Sequence, residues 1–454
     1  DAARAVNSAI AAKSIAMNPI TVTDGNDNTF LPNENLSIGG AFVNYLDPSS
    51  PSASAVLTII SGPGTISTGT YTIGAMATLA TQTVSTPFTA LIQPTAPVNS
   101  IIKFKVTITD GTFSETQYFD ITVNPDYINI INNDVHTTIT SKGRIGFNLD
   151  GTQQGLGFVY QLTNPATQML YEMSFMVGAS ATQVSDMFRG AATGGDNDFS
   201  SVVRVAEINP AVVSNFDVDG KFNDAPAPSP IPVEVHHNAY AWSAAPYRKF
   251  IIVKYVIKNT GASPLSNLYA GLIADWDITN AAQNKGDYDP LHKMGYTYFP
   301  GGKYAAFKLL SAGGVNHYVV DNGAGSGVDP NSGNPAFDTQ EKYTVMSTTR
   351  NTDGFSTTGG DVIDCLSNGP FTVNPGDSIT VAFAIIGGDN VVDIQYSACA
   401  AQSKFDGGCI LGVNDLENDN FWMYNYPNPV ANLSLIHISE PTRLRRISYA
   451  VFCL

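Results

Sequence analysis

In the stretch SIIKFKVTITD, Ile102, Phe104, Val106 and Ile108 alternate with Lys103, Lys105, Thr107 and Thr109. A period of two sends successive side chains to opposite faces of an extended chain, so this is a strand with one dry and one wet face. A helix would scatter the same apolar residues around its circumference. The Asp110-Gly111 turn then leads into FSETQYFDITV, where Phe119, Ile121 and Val123 repeat the alternation. The two segments predict a hairpin. LSIGGAFVNYL and SAVLTIIS add further strands. About seven short strands before the break at Asn124-Pro125 is the number a β-sandwich needs.

Beyond the break the chain stays β-rich but less regular. MLYEMSFMV, KFIIVKYVIKNTG, NLYAGLIADWDI and SITVAFAIIGG are its strongest strand signals. DAPAPSPIP (224–232) predicts a loop. DNVVDIQYSACAAQSKF predicts a helix near 389–405, with Val391, Ile394, Ala398, Ala401 and Phe405 on one face and Asp389 as candidate N-cap. No strand–helix alternation of the parallel-sheet kind is present. An Ala-rich opening, DAARAVNSAIAAKSIA, predicts one more helix over 1–16, ended by Asn18-Pro19. The expected fold is therefore all-β: a sandwich over 17–125, then a larger, mostly antiparallel domain over 126–415. An N-terminal helix and the helix near 389–405 complete it.

Charge narrows the partners. The 454 residues carry 39 Asp and Glu against 23 Lys and Arg, a formal charge of −16. Nucleic acid and anionic membranes select basic surfaces, so neither is expected as a partner. No apolar run reaches the ~18 residues that suggest a membrane span. Only 14% of residues are charged, which leaves Thr, Ser, Asn and Gly to cover the surface, as in secreted β-proteins.

Three acidic loops are candidate calcium sites, because Ca²⁺ takes six to eight oxygen ligands from carboxylates, amides and carbonyls. Asp24, Asn26, Asn28 and Glu34 are spaced almost as in an EF-hand loop, although Thr29 replaces its glycine; an Asx-rich turn uses the same residues. Asp217, Asp219, Asn223 and Asp224 surround an Asp-x-Asp-Gly turn. Alternation puts Asp275 and Asp277 on one face at a strand end, with Asp287 and Asp289 in a following segment expected to fold back on them. A glycosidase also uses paired carboxylates, yet beyond Trp276 and Tyr288 no sugar-gripping aromatics accompany this pair.

Catalytic signatures are sparse. His136, His236, His237, His292 and His317 lie beside no Gly-x-Ser-x-Gly elbow, and no catalytic residue is assigned. Neighbours in a strand face opposite ways, so His236 and His237 do not chelate one ion. Cys399 and Cys409 read either as a disulfide formed after export or as two buried thiols, with Cys365 left over.

Two motifs carry resemblances. NYPNPVAN, after the polar linker LGVNDLENDN, resembles the opening of the C-terminal sorting domain of the Bacteroidetes type IX secretion pathway, with Tyr426, Pro427, Asn428 and Pro429 matching its Y-P-N-P. DAARAVNSAIAA resembles the last helix of subtilisin-like serine peptidase (subtilase) domains. VTDGNDNTFLPNENLSIGG is similar to the start of the β-modules that follow such domains, with Asn33 in place of a glycine. The resemblances imply the trailing part of an exported subtilase: 1–16 the last peptidase helix, 17–125 and 126–415 accessory β-modules, 416–432 linker and start of the sorting domain. They further imply an extracellular or outer-surface location and catalytic residues upstream of Asp1. The implied partners are that peptidase domain, the type IX machinery, and a protein substrate or surface glycan. The tail LSLIHISEPTR…ISYAVFCL looks like a translated transposase-type sequencing adapter, with Leu444, Arg445 and Arg446 where an index would be read. On that reading 433–454 is an artefact outside the fold.

Overall fold

The computed structural model describes residues 12–26, 28–148, 154–160, 166–190, 196–322, 327–331, 337–356 and 360–408. The fold is all-β and antiparallel, with two α-helices among the described residues. Residues 1–11 of the expected N-terminal helix, Cys409, the 416–432 segment with Tyr426–Pro429, and 433–454 lie outside them.

Strands Ile15–Thr23, Asn35–Asn44, Phe88–Ile92 and Gly64–Thr68 form one sheet, with Thr81–Thr83 alongside. Thr70–Thr72, Ser54–Ser61, Ser100–Asp110 and Phe113–Val123 form the other. Their dry faces meet over Ile38, Phe42 and Phe88 from the first and Leu57, Phe104 and Val106 from the second. The last two strands are the expected hairpin, closing at Asp110 opposite Phe113, with Gly111 at φ 61° in the turn. One expectation fails at the start. Ile15 and Ala16 do not end a helix but open the first strand, where Ile15 pairs with Asn44 and Met17 with Phe42. Burial of Ile15 and Met17 in the sandwich core outweighs the helix preference of the alanines.

From Tyr127 to Gly388 two larger sheets stack. One has ten strands, with Glu172–Ser180, Leu265–Asp275, Val362–Val373 and Val315–Asp321 adjacent in that order. The other has eight, with Val233–Ala241, Phe250–Asn259, Ser378–Gly388, Tyr304–Leu309, Met294–Tyr298 and Lys285–Asp289 in order. Between them Phe175 stacks on Tyr255 at 4.1 Å between ring centroids, and Trp276 meets Phe158 at 5.4 Å and Phe307 at 5.3 Å.

Helices cover the outer faces, which explains why the central strands read as apolar runs rather than strict alternations. Helix α1, Thr339–Ser347, lays Val345 and Met346 against Ile273, Val320 and Ile363 of the ten-stranded sheet. Helix α2, Val391–Asp406, lays Ile394, Ala398 and Ala401 against Ile252, Ala384 and Ile386 of the eight-stranded one. Asn390, not Asp389, caps α2, accepting from the Asp393 N–H at 3.0 Å; Asp389 instead pairs with Lys303 and accepts from the Tyr160 hydroxyl at 3.0 Å.

A polar joint ties the two sandwiches. Asn99 donates its amide to Asp126 at 2.7 Å and accepts the Asp126 N–H at 3.0 Å. Buried Asn124, at φ 55°, donates to the Ala96 carbonyl at 2.7 Å and accepts from Arg204 of the larger sandwich.

Candidate functional site

Strand register gathers acidic residues at one end of the ten-stranded sheet. Glu172 stands opposite Asp275, and Asp275 stands opposite Ile363. Two residues beyond that last pair, Asp277 and Asp361 leave the ends of the same two strands together. Asp275, Asp277 and Asp361 each bring an oxygen within 4.8 Å of the others'. On the next strand Asn322 follows Asp321, the partner of Val362, and its N–H donates to the Asp361 carbonyl at 2.8 Å.

Arg189 serves the inner part of this group. Its guanidinium bonds Glu172 through Nε and Asp275 Oδ2 through Nη2, while Nη1 donates to Asn322 and Asn331, both at 3.1 Å. Arg144 reaches the other Glu172 oxygen at 3.4 Å. Asn322 also donates to Asp275 Oδ2 at 3.1 Å. Burial pushes the Asp275 carboxyl up to about 7 against the pull of Arg189, and Asp361 and Asp277 add repulsion. Asp277 is raised for the same reasons, burial first and then Asp361. Despite its burial, Arg189 is held firmly protonated by Asp275 and Glu172.

A second acidic group, Asp186, Asp196 and Asp198, has its oxygens equally close but contains its own cation. The Lys342 ammonium of α1, 1% exposed, donates to both Asp186 oxygens at 2.8 and 3.0 Å and to Asp196 at 2.8 Å. Burial raises Asp198 to about 6, and it outweighs Lys342 in raising Asp186, where Asp196 and Asp198 add to the effect. Neither Lys342 nor its acidic partners form a recognisable spacing, since Lys342 lies 156 and 146 residues from Asp186 and Asp196.

The remaining candidate residues are engaged in local hydrogen bonds. Asp24 accepts from the Asn26 and Asn28 N–H groups at 2.9 and 3.1 Å, and Glu34 from that of Leu31 at 2.7 Å, which is the Asx-rich turn geometry. Asp217 accepts from the Ser214 hydroxyl and, at 2.6 to 2.9 Å, from the Val212, Val213 and Ser214 N–H groups; burial alone would raise its pKa, but these donors lower it. Asp219 holds Asn238 at 2.7 Å, Asn223 accepts from Ser200 at 2.7 Å, and Asp224 closes the 224–232 loop through Val233 N–H at 3.0 Å. Asp287 and Asp289 do not fold back on Asp275 and Asp277. Their segment is instead the edge strand of the eight-stranded sheet, where Asp287 accepts from the Tyr296 hydroxyl at 3.1 Å. Asp289 accepts from His292 at 2.7 Å and Gln395 at 2.8 Å. These donors carry its pKa down to about 2 in spite of burial.

His236 and His237 face opposite ways as expected. His236 bonds Asp219 within hydrogen-bond range at 2.5 Å, whereas His237 is 4% exposed and lies 5.0 Å from the Phe222 ring. Cys399 is disulfide-bonded, and Cys365 is a buried free thiol. On the outer side of the eight-stranded sheet Tyr298 and Tyr304 stack at 4.8 Å, 3° from coplanar, with Tyr296 6.1 Å from each. No described helix is long and apolar enough to cross a membrane.

No protein-family model matches this sequence, and no curated protein matches it. Among solved structures, one similarity is to a putative aldose 1-epimerase from Escherichia coli K12, at 8% identity and TM-score 0.33, over 58% of this chain and 99% of that one. Another is to the heparan sulfate lyase HepC from Pedobacter heparinus, at 8% identity and TM-score 0.28, over 57% of this chain and 34% of that one. A third is to an α-mannosidase from Enterococcus faecalis V583, at 7% identity and TM-score 0.29, over 85% and 43%. At these scores no common architecture is established, and neither activity nor ligand passes from those proteins to this chain.

Proposed function

We propose that this chain is the non-catalytic accessory and secretion-sorting region of an exported subtilisin-like serine peptidase. The motif order supports it: DAARAVNSAIAA, two β-sandwiches, then Tyr426-Pro427-Asn428-Pro429. The observation in the fold that carries the accessory role is the joint of Asn99, Asn124, Asp126 and Arg204. Buried Asn124 and Asp126, bonded by exposed Arg204 and half-buried Asn99, favour one arrangement over a swinging linker, and a fixed arm suits the support of a neighbouring domain. The acid–base pairs are also committed internally: His317 to Asp364 at 3.0 Å, Asp289 to His292 and Gln395. The sorting motif would direct this arm and its peptidase to the outer surface. The full-length product of the natural gene should hydrolyse casein with sensitivity to a serine-directed inhibitor, while this chain alone does not. Casein left intact by the full-length product counts against the reading.

A second reading, a cell-surface glycan-binding module without a peptidase, is favoured by the half-buried Tyr296, Tyr298 and Tyr304. Near-coplanar rings on an outer sheet face offer sugars a flat apolar surface with polar edges. Glycan-array binding lost in Tyr298→Ala with Tyr304→Ala would support it; equal binding by the variant removes it.

A further inference from the structure

We propose that Asp275, Asp277 and Asp361 bind one hard divalent cation of the calcium class at the end of the ten-stranded sheet. Convergence of three carboxylates within 4.8 Å is the first observation, and alone it would be only an acidic cluster. The second is an unpartnered oxygen. Asp275 is 3% exposed, and while Arg189 and Asn322 occupy its Oδ2, its buried Oδ1 has no hydrogen-bond partner. Asp361 Oδ1 is likewise buried and unpartnered. A buried carboxylate oxygen without a donor is costly to keep, and a cation is what two such oxygens and a third carboxylate satisfy together.

Charge counting points the same way. Among the described residues, the four carboxyl groups of Glu172, Asp275, Asp277 and Asp361 pair with two guanidinium groups, those of Arg144 and Arg189. Both arginines are already turned toward Glu172, and Arg189 shares itself with Asp275 Oδ2. In the Asp186 group the Lys342 ammonium sits among the oxygens and does the cation's work. Among the described residues the Asp275 group is paired with no lysine, and its guanidinium bonds Asp275 through Oδ2 alone. Hard oxygen ligands with no nitrogen or sulfur donor select calcium or magnesium over softer metals. Adjacent strand ends hold two of the ligands by register rather than by a single loop, which is why no calcium-loop motif marks the site.

The test uses the whole chain, stripped with chelator, and calcium alone as the probe. Calcium in large excess should raise the melting temperature by roughly 5 °C, the shift expected for saturating a site a hundred-fold above its dissociation constant. Terbium should bind the same site and emit on excitation of Trp276, which lies between two of the ligands, and calcium should quench that emission by displacement. In Asp277→Asn with Asp361→Asn, both signals should vanish while the chelated protein melts no lower than wild type, because repulsion has been removed. The Asp24→Asn variant should keep both. No calcium-dependent shift in wild type would overturn the proposal, as would a shift that survives the double variant or is lost in Asp24→Asn.

Discussion

Glu172 and Asp275 stand directly opposite each other on adjacent antiparallel strands, and the guanidinium of Arg189 donates to both. Like charges in register are destabilising; here they are tolerated because a third side chain lies across them. The Tyr171 and Phe188 rings flank that guanidinium, with their centroids 5.3 and 5.4 Å from it.

Arg189→Met should therefore cost about 3–5 kcal/mol, the range for removing one partner of a buried ionic group. Urea unfolding measures it. Adding Glu172→Gln to that variant should recover part of the loss, since the opposed charges are then reduced to one.

The Lys342 group makes a pH prediction. Asp198 ionises in the folded protein only near pH 6, above its unfolded value. Stability from its bound proton is thus fully present below about pH 4 and is lost as pH rises through 6. Asp198→Asn should be stabilising by about 1–3 kcal/mol at pH 8 and near neutral at pH 4. Chemical denaturation at the two pH values decides it, and an equal effect at both would contradict the assignment.

His237 acts in the opposite sense. Burial beside Phe222 lowers it to about 3, so it folds neutral. Its contribution is complete above about pH 6.5 and lost as pH falls toward 3, amounting to about 3 kcal/mol by pH 4. His237→Leu should lose less stability than wild type between pH 7 and pH 4. Parallel curves for the two proteins would show that His237 is not the acid-labile group.

Phe175 sits at the centre of the larger core, stacked on Tyr255 and edge-on to Phe222 at 5.9 Å. Phe175→Ala should cost about 3–5 kcal/mol through lost burial and the cavity left behind, measured as a shift in urea midpoint without a change in slope.

Much of this architecture was legible in the residues and some of it was not, for identifiable reasons. The Ser100–Asp110 and Phe113–Val123 hairpin follows from alternation and a Gly turn alone. The pairing of Asp275 with Asp277 on one face follows from the same period. Asp361 could not be found that way, because its place beside Asp277 is set by pairing between strands almost ninety residues apart. Helix α1 was invisible for a different reason. Its sequence TQEKYTVMS has no apolar stripe, and it is held by a capping box of Asp338 and Glu341 and by the buried Lys342, which pairs with Asp186 and Asp196. Tertiary pairing decided both, and it leaves no local period. The failed helix at Ile15 shows the converse, a strong local preference overruled by strand pairing.

One long sequencing read across both ends of this reading frame in the source DNA tests the proposal that the chain is the trailing part of an exported peptidase. The expected result is a Ser/His/Asp peptidase domain before Asp1 and a continued sorting domain after Asn432, in place of LSLIHISEPTR. A frame with no peptidase before Asp1, or LSLIHISEPTR as genuine genomic sequence, would contradict it.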